Sequence, residues 1–288
     1  MFDLLVSPFS EFEFMRRALV GGVALALSGA PVGVFLILRR MSLTGDAMAH
    51  AILPGAALGY LFAGLSLGAM TAGGLVAGLL VAVASGAVAR ATSLREDASL
   101  AAFYLVSLAL GVTIVSLKGS SIDLLHVLFG NVLALDDATL VLLAAIASLT
   151  MLGLATLYRP LVMETVDPNF LASVSRVAGP TQIAFLVLVV MNLVAGFQAL
   201  GTLLAVGLMM LPAASARLWT TDVGGMIAVA AGVGVASVYA GLVASFESGA
   251  PSGPMIILVA GVFYLLSVVF GRAGGLSRGV GARRHLEA

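Results

Sequence analysis

The chain has 288 residues, of which 61% are hydrophobic and 10% charged, and its 14 basic and 14 acidic residues cancel at pH 7. An ordinary soluble domain carries about 25% charged residues, so this composition excludes a soluble globular fold, and the zero net charge offers nothing to a nucleic acid. Cysteine is absent, which removes disulfides and thiolate metal ligands.

Met1-Phe2-Asp3-Leu4 lacks the basic opening of a cleavable signal peptide, so the first apolar run is expected to stay in the protein. Ser7 to Phe14 is amphipathic and suits the membrane interface. Beyond it, apolar runs of about 20 residues predict an all-α polytopic bundle. Nine spans are expected, within a range of eight to ten, at 17–38, 46–64, 69–90, 99–117, 137–158, 181–198, 201–219, 223–245 and 254–272. They form a single membrane domain over 1–272, with a polar cytoplasmic region at 159–180 and a flexible cytoplasmic tail at 273–288. With the N-terminus outside and the C-terminus in the cytoplasm, eleven arginines fall inside, and only Arg16, Arg17 and Lys118 fall outside. That is a strong positive-inside bias. The joins at 64–69 and 198–201 are short enough to be re-entrant bends. Gly29-x-x-x-Gly33, Gly55-x-x-x-Gly59 and Gly64-x-x-x-Gly68 have the small-residue spacing of helices that pack closely in lipid.

Pro31 interrupts the first span, and a basic pair, Arg39-Arg40, follows that span. The second span carries Asp46, His50 and Pro54. Asp46 and His50 are spaced i, i+4, so a helix presents both on one face. Pro54 has no N–H, which strips the His50 carbonyl of its helical partner. Carboxylate, imidazole and freed carbonyl together suit a small divalent cation, and an ionisable pair entering a span points to function. Asp46 could equally cap a helix start, with His50 an interior histidine. The run RRMSLTGDAMAHAILPGAALGY, together with GTLLAVGLMMLPAASARL at 201–218, resembles the zinc/manganese/iron permease family, the membrane subunits of ATP-binding-cassette metal importers. Weaker similarity runs from the start of the chain through Leu128–Leu135 to the last apolar run. The resemblance implies that Asp46 and His50 touch a transported metal, which is cargo and not a resident cofactor. It also implies a permease homodimer in a bacterial inner membrane, with ATPase subunits on one side and an extracytoplasmic metal-binding protein on the other.

Between spans four and five, Ser120-Ser121-Ile122-Asp123 reads as the start of a short outer helix. Asp123 and His126 could be a cation contact at the outer mouth, or a helix-supporting carboxylate and an interfacial histidine. Asp136 and Asp137 open the fifth span and are expected to face water or a partner. Asp167-Pro168 is a helix-start signal, and 168–177 reads as a short amphipathic helix closed by Gly179-Pro180. By resemblance, Asp167, Pro168, Asn169, Phe170, Leu171, Ser173, Val174 and Arg176 would dock on the ATPase. Ser175-Arg176-Val177 departs from the small residue and Gly usual in that family, which leaves the contact details open. Pro212 falls in the seventh span, and Pro54 and Pro212 are read as helix breaks along a substrate path. Trp219 reads as an interfacial anchor, and Glu247 lies in an outer loop that could meet a binding protein.

The only lysine, Lys118, does not follow a phosphate-loop pattern, and no H-E-x-x-H exists. The chain is therefore expected not to be an enzyme, with any ATP hydrolysed by another chain. The expected function is import of zinc, manganese or iron by alternating access, with uptake falling on acidification because protons compete with the metal. The rival readings are a permease for a metal chelate or cofactor, and an ion-coupled secondary metal transporter.

Overall fold

The computed structural model describes residues 2–64, 66–94, 96–117, 132–166 and 178–276, and regular structure among them is entirely helical. The helices are α1 (Phe2–Glu11), α2 (Glu13–Leu38), α3 (Thr44–Ala51), α4 (Leu53–Ala63), α5 (Leu67–Ala91), α6 (Glu96–Leu117), α7 (Asp137–Val166), α8 (Ala178–Leu200), α9 (Thr202–Trp219), α10 (Val223–Ser248) and α11 (Ser252–Phe270). Seven of them, α2, α5 and α7 to α11, are long and apolar enough to cross a membrane. Helix α6 contributes a shorter apolar stretch, Ala98–Ile114. The expected second span is divided into α3 and α4, of 8 and 11 residues.

Helix α2 is the post of the bundle, packed on α7, α9 and α10. Phe35 and Leu36 from it, Phe185 from α8, and Leu208 and Met209 from α9 are almost completely buried. Gly33 makes this possible, because a Cβ there would collide with the Met209 carbonyl oxygen. Gly29 lies on the same contact, at 3.8 Å from Met209 Cβ. The second small-residue pair works likewise: a Cβ on Gly55 or Gly59 would strike the backbone of α5 at Gly73 or Ala69. The third does not, since a Cβ on Gly64 or Gly68 would meet no other part of the structure within 4 Å. Gly64 serves instead as a turn at φ +63°, and Gly201, at φ +88°, is the single residue joining α8 to α9. Only glycine adopts such values without strain.

At the end of the bundle that holds α1, Phe9 stacks on Tyr239 and Phe12 meets Phe246. Arg17 bridges Glu13 at 2.8 Å and Asp137 at 3.0 Å. Asp136 caps α7, accepting the Thr139 N–H at 3.0 Å. Hydrogen bonds from the Thr139 hydroxyl and then its N–H hold the Asp136 carboxyl below the usual carboxylate range.

Four expectations change on inspection. Pro31 and Pro212 do not divide their helices, since each lies inside a continuous one. Helix α7 runs to Val166, well beyond 158, because Leu161 is fully buried and Glu164 finds a cationic partner. Helix α8 begins at Ala178, ahead of the expected 181, with Gly179-Pro180 in its first turn in keeping with the preference for proline there. The tail does not leave the bundle at 273: the N–H groups of Ala273 and Gly274 donate to the Leu218 carbonyl at 2.8 and 3.2 Å.

Candidate metal site

The chain leaves α2 through Arg39 and then Arg40, whose φ of +58° reverses its direction. Met41 N–H returns to the Leu36 carbonyl at 2.9 Å, and Thr44 N–H to Met41 at 3.0 Å, which starts α3. Gly45 rests against Met209 and Met210 of α9. Ala47, Met48, Ala49 and Ala51 face inward and are buried. The opposite face carries Asp46, with 63% of its side chain accessible, and His50, with 24%. Four-residue spacing therefore brings the two together as expected.

His50 Nε2 stands 3.8 Å from Asp46 Oδ1. That is too long for a hydrogen bond. It is within the roughly 4.2 Å that two metal–ligand bonds of about 2.1 Å can span. One ion can therefore touch both. Among the described residues no third His, Cys, Asp or Glu joins them.

The helix divides at Ile52, with Pro54 in the first turn of α4. Pro54 leaves the His50 carbonyl without its helical partner, and the next carbonyl, Ala51, accepts the Ser107 hydroxyl of α6 at 3.0 Å. Tyr104 of α6 lies across from the His50 ring at 6.3 Å between centroids, with the planes 29° apart. Asp46 also opens on a cavity of about 530 Å³ bounded by α3, α5, α6 and α8, which Ser85, Tyr104, Gln182, Arg39 and Arg40 help to line. A second, apolar groove of about 540 Å³ runs past Pro54, Leu58, Phe62, Val76 and Leu80.

Arg39 pairs with Glu164 of α7 at 2.5 Å, both side chains largely buried, and its guanidinium lies 4.5 Å from the centre of the Phe185 ring. Residues 125 apart in sequence thus tie the chain just ahead of α3 to the end of α7. Neither this pair nor the Tyr104–Ser107 contacts had a signal in the sequence, where each partner sits in an unremarkable apolar or basic context. Pro212 is buried within α9, on the side that meets Gly234 of α10. Asp123, His126 and the expected ATPase-docking residues Asp167, Pro168, Asn169, Phe170, Leu171, Ser173, Val174 and Arg176 lie outside the described residues.

A hydrophobic bundle in which one crossing is cut beside a carboxylate–imidazole pair has the architecture of a membrane transport protein. The chain belongs to the ABC 3 transport family, whose pattern matches residues 11–271. It is similar to the manganese import system permease protein ScaB of Streptococcus parasanguinis, with 30% identity over 93% of this chain and 94% of that one. It is also similar to the manganese transport system membrane protein MntC of Halalkalibacterium halodurans, with 32% identity over 96% of this chain and 92% of that one. Among solved structures, PsaBC from Streptococcus pneumoniae in complex with Fab superposes with a TM-score of 0.83 at 29% identity, covering 94% of this chain and 96% of that chain. The resemblance drawn from the sequence is met: this is a permease subunit of an ATP-binding-cassette transporter and not itself an enzyme.

Proposed function

We propose that this chain forms the membrane path of an importer for divalent metal ions, with manganese the principal cargo. The observation that carries the reading is the Asp46–His50 pair, 3.8 Å apart just before the split between α3 and α4, with Asp46 on the wall of a cavity. The names of the relatives support manganese over zinc or iron, and an oxygen–nitrogen ligand set is consistent with that ion. The chain crosses the membrane nine times, α3 and α4 counting as one crossing of about 30 Å, with its N-terminus outside and its C-terminus in the cytoplasm of a bacterial cell.

Two copies work together. Asp46 is exposed and His50 partly exposed on α3, and α4 leaves Leu58 and Phe62 exposed beside them in the chain. A second copy seated there brings two more ligands to the ion and covers an apolar face. ATPase subunits engage the cytoplasmic region at 167–176, and a metal-binding protein delivers the ion outside, where Asp123 and His126 offer it a first contact. Alternating access then moves the ion from the outer mouth past Asp46 and His50 into the cavity below.

The test is manganese uptake by the assembled complex. Asp46→Ala and His50→Ala should each abolish uptake while leaving assembly with the ATPase intact. Wild-type uptake by either variant removes the pair from the path.

A further inference from the structure

Among the described residues, the His50 ring is not held by a hydrogen bond of its own at the second nitrogen. A histidine that binds metal through one nitrogen usually anchors the other by a hydrogen bond. His50 Nδ1 is buried and has no such partner among the described residues. Something else must fix it, and α6 supplies candidates. Tyr104, Ser107 and Gly111 recur at spacings of three and four, so they share one face of that helix. They meet the split in register: Tyr104 lies against the His50 ring, Ser107 bonds the Ala51 carbonyl, and a Cβ on Gly111 would come 3.1 Å from Pro54 N.

The Ser107 bond is not the ordinary habit of a hydroxyl in a membrane helix. Such groups bond back to the carbonyl four residues earlier, as Ser28, Ser148, Ser215, Ser237 and Ser267 do here. Ser107 is buried and reaches instead across to a different helix, onto the carbonyl next to the candidate ligand. We propose that Tyr104 and Ser107 are positioning residues for the metal site: they brace the split helix so that His50 Nε2 faces Asp46 at the spacing one ion needs. This rests on the reading of Asp46 and His50 as ligands. Tyr104 acts through its ring and Ser107 through its hydroxyl.

The experiment titrates the purified permease–ATPase complex with manganese(II) chloride, following bound Mn²⁺ by electron paramagnetic resonance. Uptake in proteoliposomes is measured in parallel. Removing a group that holds a metal-binding histidine in place costs about 10–100-fold in metal affinity. Ser107→Ala should weaken binding at least tenfold and raise the KM for uptake, with the maximal rate held at saturating metal. Ser107→Thr, which keeps the hydroxyl, should restore binding. Tyr104→Phe should bind as wild type, and Tyr104→Leu should follow Ser107→Ala. Wild-type affinity in folded Ser107→Ala overturns the proposal. If that variant does not assemble, equal affinities for Tyr104→Phe and Tyr104→Leu overturn it. Should Asp46→Ala and His50→Ala also bind metal normally, it is the underlying ligand assignment that has failed.

Discussion

The molecule has a packed side and a thin side. In α2 and α8, 72% and 67% of the most apolar stretch is buried within the protein, against 22% in α5 and in the outer helices α7 and α11. Most of the large, fully enclosed side chains, among them Phe35, Phe185, Leu193, Leu204 and Met209, belong to α2, α8 and α9. The flank of α3 to α6 instead leaves Leu58, Phe62, Val76 and Leu80 exposed. Yet the candidate ligands are mounted on the flank. A site placed at the centre of the packed side would be complete within one chain and hard to open. On the flank it lies where the core does not enclose it.

The sharpest way to break this comparison is to wedge each side apart. Gly33→Leu should push α2 off α9 and prevent recovery of a monodisperse complex by size-exclusion chromatography. Gly68→Leu, in open space on the flank, should be recovered normally. Next comes the joint between the two sides. Glu164→Gln leaves Arg39 charged and largely buried, and breaking such a pair costs about 3–5 kcal/mol. Thermal unfolding in detergent should shift down clearly, and the Arg39→Met/Glu164→Met double variant should recover much of the loss. The smallest effect is expected at Asn192, which donates to Thr150 at 2.7 Å between α8 and α7. Hydrogen bonds of this kind within membranes are worth about 0.6–2 kcal/mol, so Asn192→Ala should lower the unfolding temperature only slightly.

The Asp46–His50 pair was readable in advance because both ligands lie on one helix, where spacing alone sets their neighbourhood. Most apolar crossings were readable for a similar reason: lipid demands long apolar runs, and composition reveals them. What stayed hidden depends on contacts between distant segments. Ser107 looks like any hydroxyl in an apolar helix until Ala51, 56 residues away, is beside it. Arg159 to Val166 looked like a polar interruption because the partner of Glu164 stood at the far end of another span. Proline misled in the opposite direction. Pro31 and Pro212 lie inside continuous helices, whereas Pro54 falls where the chain divides and the Ala51 carbonyl nearby accepts the Ser107 hydroxyl of α6.

The Arg39–Glu164 pair has an electrostatic consequence for traffic through the cavity. Arg39 and Arg40 stand at the wall beside Asp46, and an uncompensated guanidinium there would repel a doubly charged ion leaving the carboxylate. Glu164 draws the charge of Arg39 toward α7 and away from the lumen. With Gln at 164 the potential in the same chamber would turn more positive, and any cation held beside Asp46 would be less welcome there.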